Sequence, residues 1–432
     1  MKKKYLFLTP AITMAMSASA FSQEVHPGLQ NVADNINLKA EHVEMNKVDG
    51  DMAAIIKYIN LALDTARKNG DQVPKDLNVE GILKALGIMD IKAYGTSSNE
   101  EDDAWVSHSY TDIGGSNTGL VSLLGGDAEE FVVPAIAPAG TDAAFQLKLD
   151  LTQLETILKN VIKNADAKEL GQIEEGLSQP IEPLGMNVAD LLGKMKITLN
   201  LAMDLDETHP DNTPFGPVGR PHLVGRIDGL AWAWDKVKDG LFADLPYELN
   251  EVEAGDIITY TLPDEELKEM PFGFDPVLVV DKKANQIWMA SSPGFLTKCT
   301  SGKNTLAGSA EFKAAMKDLP SKGNSLAYFS KSFLKNLASA YKTGAKDGAF
   351  GEDFEKGKDI IDAIVEDLTE SKHGHAYVIS KDGQGVTFSA RTFFGAKHLQ
   401  ALQGLVPLFQ TRNAEDEMKK RMAPRPKRGG AL

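Results

Sequence analysis

An α+β fold, with helices packed on antiparallel sheets, follows from three features of this 432-residue sequence. Hairpin signals outnumber β-helix-β crossovers, the helices carry a one-sided apolar stripe, and a helix–hairpin–helix order recurs along the chain. Strict alternation over Asp90–Ser97 and Ala104–Tyr110, across the polar stretch Asn99–Asp103, predicts the first hairpin. It follows a helix over Asp51–Lys68, whose Met52, Ile55, Ile56, Ile59 and Leu63 recur at three- and four-residue steps, and a shorter helix at Val79–Leu86. Gly119–Leu124 closes the unit as a short apolar helix.

The same order is expected twice more. Helix Asp359–Thr369 leads to strand His375–Ser380, the Asp-Gly turn at 381–385, strand Val386–Phe394 and helix Leu399–Phe409. In the middle, helix Val188–Lys194 leads to strand Lys196–Asp204, a loop at 205–221, strand His222–Asp228 and helix Leu230–Leu241. These copies predict an internal duplication. Two strand-then-helix pieces, Phe145–Asp150 into Thr152–Ile162 and Ser325–Phe329 into Phe333–Tyr341, lie between them. Further strands are expected at 255–262, 276–281 and 286–291.

The division of the chain follows from its ends and its prolines. Lys2, Lys3 and Lys4 precede an apolar run from Tyr5 to Met16, and Ala18-Ser19-Ala20 supplies the small residues of a cleavage site. Residues 1–20 therefore read as a cleavable signal peptide that sends the chain out of the cytoplasm, to the periplasm or beyond. The apolar run is too short for a comfortable span of the bilayer, and no later stretch reaches that length. Residues 21–47 read as a flexible lead-in. Pro210, Pro214, Pro217 and Pro221 place a boundary in the 205–221 loop, giving an N-terminal α+β domain at 48–210 and a C-terminal one at 211–412. The last segment, 413–432, crowds Lys419, Lys420, Arg421, Arg425, Lys427 and Arg428 beside Pro and Gly and reads as a basic disordered tail. It offers contact with an anionic surface, or is simply a solvated end.

Charge and composition exclude some partners. Removing residues 1–20 takes away three lysines and no acid, moving the formal net charge from −15 to −18. Such a field repels nucleic acid and anionic lipid. With 42% hydrophobic and 25% charged residues the chain has the composition of a globular protein with ordinary cores. Its single cysteine, Cys299, forms no internal disulfide and reads as a half-buried thiol beside Phe295 and Leu296.

Catalytic signatures fail on spacing. Ser332-Phe333-Leu334-Lys335 and Lys342-Thr343-Gly344 match two β-lactamase motifs, but both fall on one expected helix and its end, where Phe333, Leu334, Leu337 and Tyr341 form a stripe. No G-x-S-x-G elbow, phosphate loop or dinucleotide fingerprint is present. The metal candidates are His373 with His375, placed on one face if a strand begins there, and the acidic run Asp204, Asp206, Glu207, His209 and Asp211. The EF-hand pattern fails because His209 occupies the glycine position and Phe215 the glutamate position. Trp232 and Trp234 alternate with Ala231 and Ala233; on one face they suit a sugar ring, and at the head of an amphipathic helix they suit the core. No cofactor is implied.

The export signal and the repeated helix–hairpin–helix order come with further matching elements. These are the Leu154/Ile157/Leu158 helix after a strand, Val277–Leu296 with its Asp281-Lys282-Lys283 turn, and Ser309–Lys313 before Leu319-Pro320. In this layout the chain resembles a class of exported bacterial proteins known only as a domain of unknown function. That resemblance implies curved antiparallel sheets with packed helices, and it transfers no activity and no functional residue. The reading that follows is an exported, non-catalytic binding or scaffold protein of the cell envelope. The alternatives are a carrier of a lipid or other hydrophobic ligand in a sheet/helix groove, and a hydrolase whose site is assembled from distant residues.

Overall fold

The computed structural model describes residues 26–393, apart from residues 49, 72, 166–169, 183, 214–215, 269, 271–272 and 347–357. The expected signal peptide, the expected helix Leu399–Phe409 and the expected basic disordered tail lie outside the described residues. Thirteen strands make one sheet in which every neighbouring pair is antiparallel. In chain order they are β1 (His42–Lys47), β2 (Ala93–Glu101), β3 (Ala104–Asp112), β4 (Ala143–Asp150), β5 (Lys196–Thr213), β6 (Gly216–Asp228) and β7 (Asn250–Ala254). There follow β8 (Ile257–Thr261), β9 (Val277–Asp281), β10 (Gln286–Ala290), β11 (Ser325–Phe329), β12 (His375–Lys381) and β13 (Gly385–Thr392). Across the sheet the order is β1-β2-β3-β13-β12-β11-β4-β5-β6-β10-β9-β8-β7. With helices packed on this sheet, the chain is α+β.

That order is symmetric about the β11–β4 pair. Outward from the centre, β11, β12, β13, β3 and β2 on one side answer β4, β5, β6, β10 and β9 on the other. Each half of the chain thus runs hairpin, strand, hairpin, and its first hairpin joins the last hairpin of the other half. The copies expected from sequence align differently: the hairpins at 196–228 and 375–392 occupy matching places, whereas the hairpin at 93–112 matches the one at 277–290.

The long hairpin of β5 and β6 replaces the expected loop at 205–221, and the 210/211 boundary falls inside β5. β4 accompanies β5 only as far as Met203, and β10 accompanies β6 only as far as Val224. Beyond those points the ribbon pairs with itself alone, so each strand has a free edge. Prolines are tolerated on such edges because no second neighbour needs their missing N–H. Leu205 accordingly faces Pro221, and Pro210 faces Gly219, across a register shift between Asp206 and Pro210.

The main core lies on one face of the sheet. Leu326, Tyr328, Ala376, Val378, Ala144, Ala202, Val224, Ala290 and Val277 meet Phe295 and Cys299 of helix Pro293–Thr300 and Phe312 and Ala315 of helix Ala310–Ala315. Both helices begin at serine caps, with Ser292 Oγ accepting from Phe295 N and Ser309 Oγ from Phe312 N, each at 3.1 Å. Cys299 is fully buried rather than half-buried, and burial pushes its thiol up to about 12.

The lead-in departs from expectation. Residues 27–47 form helix α1 (Pro27–Asn35) and the edge strand β1, because Val32 is wholly buried with Ala93 and Tyr110 beneath Leu29 and Ile36. Helix α2 (Asp51–Lys68) buries the expected Met52, Ile55, Ile56, Ile59 and Leu63. Helix α3 (Val79–Ala85) and helix α4 (Leu154–Ala165) pack against each other, and helix α5 (Trp234–Phe242) closes the far end of the sheet. Helices α6 (Lys331–Lys346) and α7 (Lys358–Glu370) pair, and α6 also lies against β6. Among the described residues no helix is long and apolar enough to cross a membrane.

Candidate functional site

The face of the sheet opposite the main core is covered at its two ends, and in the middle Phe333 of α6, stacked on Phe329 at 5.4 Å, lies on an exposed strip. At one end Trp234 and Phe242 of α5 pack on Tyr260 beside Ile258 and Val280. At the other end Tyr94 joins the cluster of α2. Between them an apolar strip crosses β10, β6, β5, β4, β11, β12 and β13.

Register sets the strip. Met289 stands opposite Gly225, Gly225 opposite Leu201, Leu201 opposite Phe145, and Phe145 opposite Ala327. An aromatic series continues it: Phe145 meets Phe329 edge-on at 5.2 Å, Phe329 meets Tyr377 at 6.4 Å, and Tyr377 meets Phe388 at 6.3 Å. Seven neighbouring strands at the usual spacing span about 29 Å. The strip remains in solvent: Met289 is 58% exposed, Leu201 53%, Leu223 42%, Phe388 41% and Phe145 39%. A contiguous apolar run of this kind marks an interaction surface far more often than scattered single residues do.

A polar cleft is the second feature. Its volume is about 560 Å³, and it lies between α3, the turn at 116–122 and α4. Amides and hydroxyls dominate its wall. A smaller cavity of about 180 Å³ is lined by Asn37, Ser97, Asn99, Glu101, His108 and Asp318. Beside it Arg391 is 2% exposed, donates from Nη2 to Glu101 O at 3.0 Å, and leaves Nε and Nη1 buried without a hydrogen bond. Asp102 and Asp318 stand 3.8 Å away. His108, whose Nδ1 lies 2.9 Å from Ser389 Oγ, has its pKa lowered by burial.

The residues singled out in the sequence do not converge. β12 starts at His375, so His373 lies outside the strand and its Nε2 sits 2.9 Å from Asp102 O. His375 is buried under Phe393, with which it stacks at 5.1 Å, and burial pushes its pKa down to about 4. Asp204 and Asp206 share the core-side face of β5, opposite His222 and Arg220. Burial first, and Asp142 second, raise the Asp204 pKa. Asp211 falls in the strand part of the ribbon rather than in a loop. Among the described residues no group of three or more His, Cys, Asp or Glu side chains comes together as a metal site. Ser332 does not meet Lys335 as a catalytic pair; its hydroxyl and that of Ser330 both donate to Asp142 Oδ1, while Asp142 Oδ2 accepts Leu205 N at 2.9 Å. In the expected stripe Leu334 is buried but Leu337 is half exposed. Trp234 is buried and donates to Tyr260 Oη at 3.0 Å, whereas Trp232 is exposed below Lys194. The helical turn separates two side chains that an extended segment would have aligned.

No family model, curated protein or solved structure matches this chain. The functional argument therefore rests on the strip and the cleft.

Sequence reasoning missed both. The sequence places Phe145, Leu201 and Met289 on expected strands, but alternation shows which residues share a face and not whether anything covers it. The cleft draws on residues 81–164 from four segments, and no local pattern joins them.

Proposed function

We propose that this chain is an exported, non-catalytic binding protein of the cell envelope that holds a protein partner on the open face of its sheet. The observation that carries this reading is the exposed strip from Met289 through Leu201 and Phe145 to Phe388. Burying such surface contributes about 25 cal/mol per Å², and a strip that crosses seven strands suits a folded partner. The export signal at residues 1–20 supports an extracytoplasmic site of action. The lipid-carrier reading draws on the same residues, but the two cavities described above are walled by amides, hydroxyls and charges. A photo-crosslinking residue at position 201, in the full chain made in an exporting host, tests the proposal. A discrete adduct is expected there and not at the outward position 58 of α2. Crosslinking to lipid alone, or equal labelling at both positions, would overturn it.

We further infer that the chain is a duplication with exchanged hairpins, as the symmetric strand order supports. Its resemblance to exported bacterial proteins of the duplicated helix/antiparallel-sheet class remains part of this proposal.

A further inference from the structure

We propose that the cleft between α3 and α4 binds a short, uncharged oligosaccharide. Its volume of about 560 Å³ lies in the range of small-molecule sites, and its walls are tied together. Asn78 donates from Nδ2 to Asn164 Oδ1 at 2.8 Å, and its backbone N donates to Asn164 O at 2.7 Å. A Cβ on Gly81 would stand 1.9 Å from Asn164 Oδ1, so a larger residue there would push the Asn164 side chain off its bond with Asn78. On the other side Gly119 has φ +57, a Cβ there would lie 2.1 Å from the Leu86 carbonyl carbon, and Leu120 N donates to Leu86 O. These contacts fix the opening before any ligand arrives, which lowers the ordering cost of binding.

The lining states the ligand's chemistry. Gln153, Thr156 and Asn160 line the cleft from one side of α4 and the turn before it, and among the described residues no hydrogen bond engages their side chains. Positions four apart on a helix advance by about 6 Å, a rise suited to successive rings of an extended sugar chain. Across from them Asn117 accepts Lys381 Nζ at 2.8 Å through Oδ1, which leaves its amide group to donate. Among the described residues of the lining, Lys84 is the only cation and Asp90 the only anion. Asp90 Oδ2 is already taken by Ser116 Oγ at 2.8 Å and Thr118 Oγ1 at 2.5 Å. An anionic ligand would meet one lysine, and a cationic one a single carboxylate whose Oδ2 already accepts two hydroxyls. A ligand rich in hydroxyl or acetamido groups can satisfy amide and hydroxyl partners alike, and Ala85 and Ile157 offer it two apolar contacts. Among the described residues no aromatic ring lines the cleft, so recognition runs through hydrogen bonds at the edges of the sugar.

Calorimetric titration of the full secreted chain with chitotriose, maltotriose and a trimeric uronic acid tests this inference. Saturable binding of one neutral trimer is expected, weakened about tenfold or more in Gln153→Ala/Asn160→Ala. Both side chains are exposed on the helix surface, so the melting temperature should not change. No saturable binding of either neutral trimer, undiminished binding by the double variant, or tighter binding of the uronic acid would each overturn it. The sheet-face proposal survives any of these outcomes, because position 201 takes no part in the cleft.

Discussion

Two buried ionisable side chains set the clearest expectations at the residue scale. His375 is 3% exposed and its folded-state pKa of about 4 lies below its ordinary 6.5. Between those values the unfolded chain takes up a proton that the folded chain refuses. Its contribution is therefore fully present above pH 6.5 and is lost as pH falls toward 4, at about 1.4 kcal/mol per pH unit. Urea denaturation of wild type and His375→Asn at several pH values in that window should show a shallower fall for the variant. Parallel curves would remove His375 as the cause. Among the described residues Arg391 is the largest fully buried side chain, yet two of its nitrogens find no hydrogen-bond partner there. Its acidic neighbours Asp102 and Asp318 are well exposed, and Asp102 keeps Lys317 at 2.7 Å. Arg391→Met should therefore stay within about 1 kcal/mol of wild type, while Arg391→Ala opens a cavity and costs about 3 kcal/mol. Equal losses in chemical denaturation would mean that the charge itself is required.

Close approach decides the element scale. α1 sits on the sheet because Gly95 of β2 has no side chain: a Cβ there would stand 2.4 Å from Val32 Cγ1 and 2.8 Å from Glu44 O. Gly95→Ala should cost about 2 kcal/mol by overpacking and raise hydrogen exchange in α1 ahead of the rest of the chain. Unchanged protection of α1 would show that the helix shifts without loss. The hairpin tip between β2 and β3 holds Asp102 at φ 53 and Asp103 at φ 61, the left-handed pair that a two-residue turn demands. Lys317 and Lys372 each pair with one of these aspartates at 2.7 Å, which tethers the tip to the second half of the chain. Edge strand β7, by contrast, is exposed throughout and carries Glu251 and Glu253, charges that discourage pairing with another edge.

Strand order governs the whole molecule. A cut at 210/211 would separate β5 from β6, so fragments made there should not fold. A cut at 243–249, after α5, keeps β2 to β6 in one piece and β9 to β13 in the other. If the halves are equivalent, each piece alone should form a homodimer. In the dimer of the first piece β4 would pair with its own copy, and the copy's β2–β3 hairpin would fill the place beside β6 that β9–β10 leaves empty. Sedimentation of the separate pieces checks this, and folded monomers or aggregates from both would sink the exchanged duplication.

Legibility followed the range of the interactions. The stripe of α2 was readable to the residue, since Met52 to Leu63 need only a period of 3.6 and one apolar neighbour. The α+β class and most hairpins were readable because turn chemistry and alternation act within a dozen residues. The lead-in was not: Leu29, Val32 and Ile36 show a helical period, but too few turns to stand out without the sheet that covers them. The proline-rich ribbon was misread because a proline's cost depends on whether a second strand lies alongside, and that is settled far away in sequence. For the same reason the single thirteen-stranded sheet, the exposure of Leu201 and Phe145, and the cleft between α3 and α4 belong to the tertiary structure. The sequence by itself determined which residues share a face and where the chain turns. Only packing between distant segments decided which faces are covered and which remain free to bind.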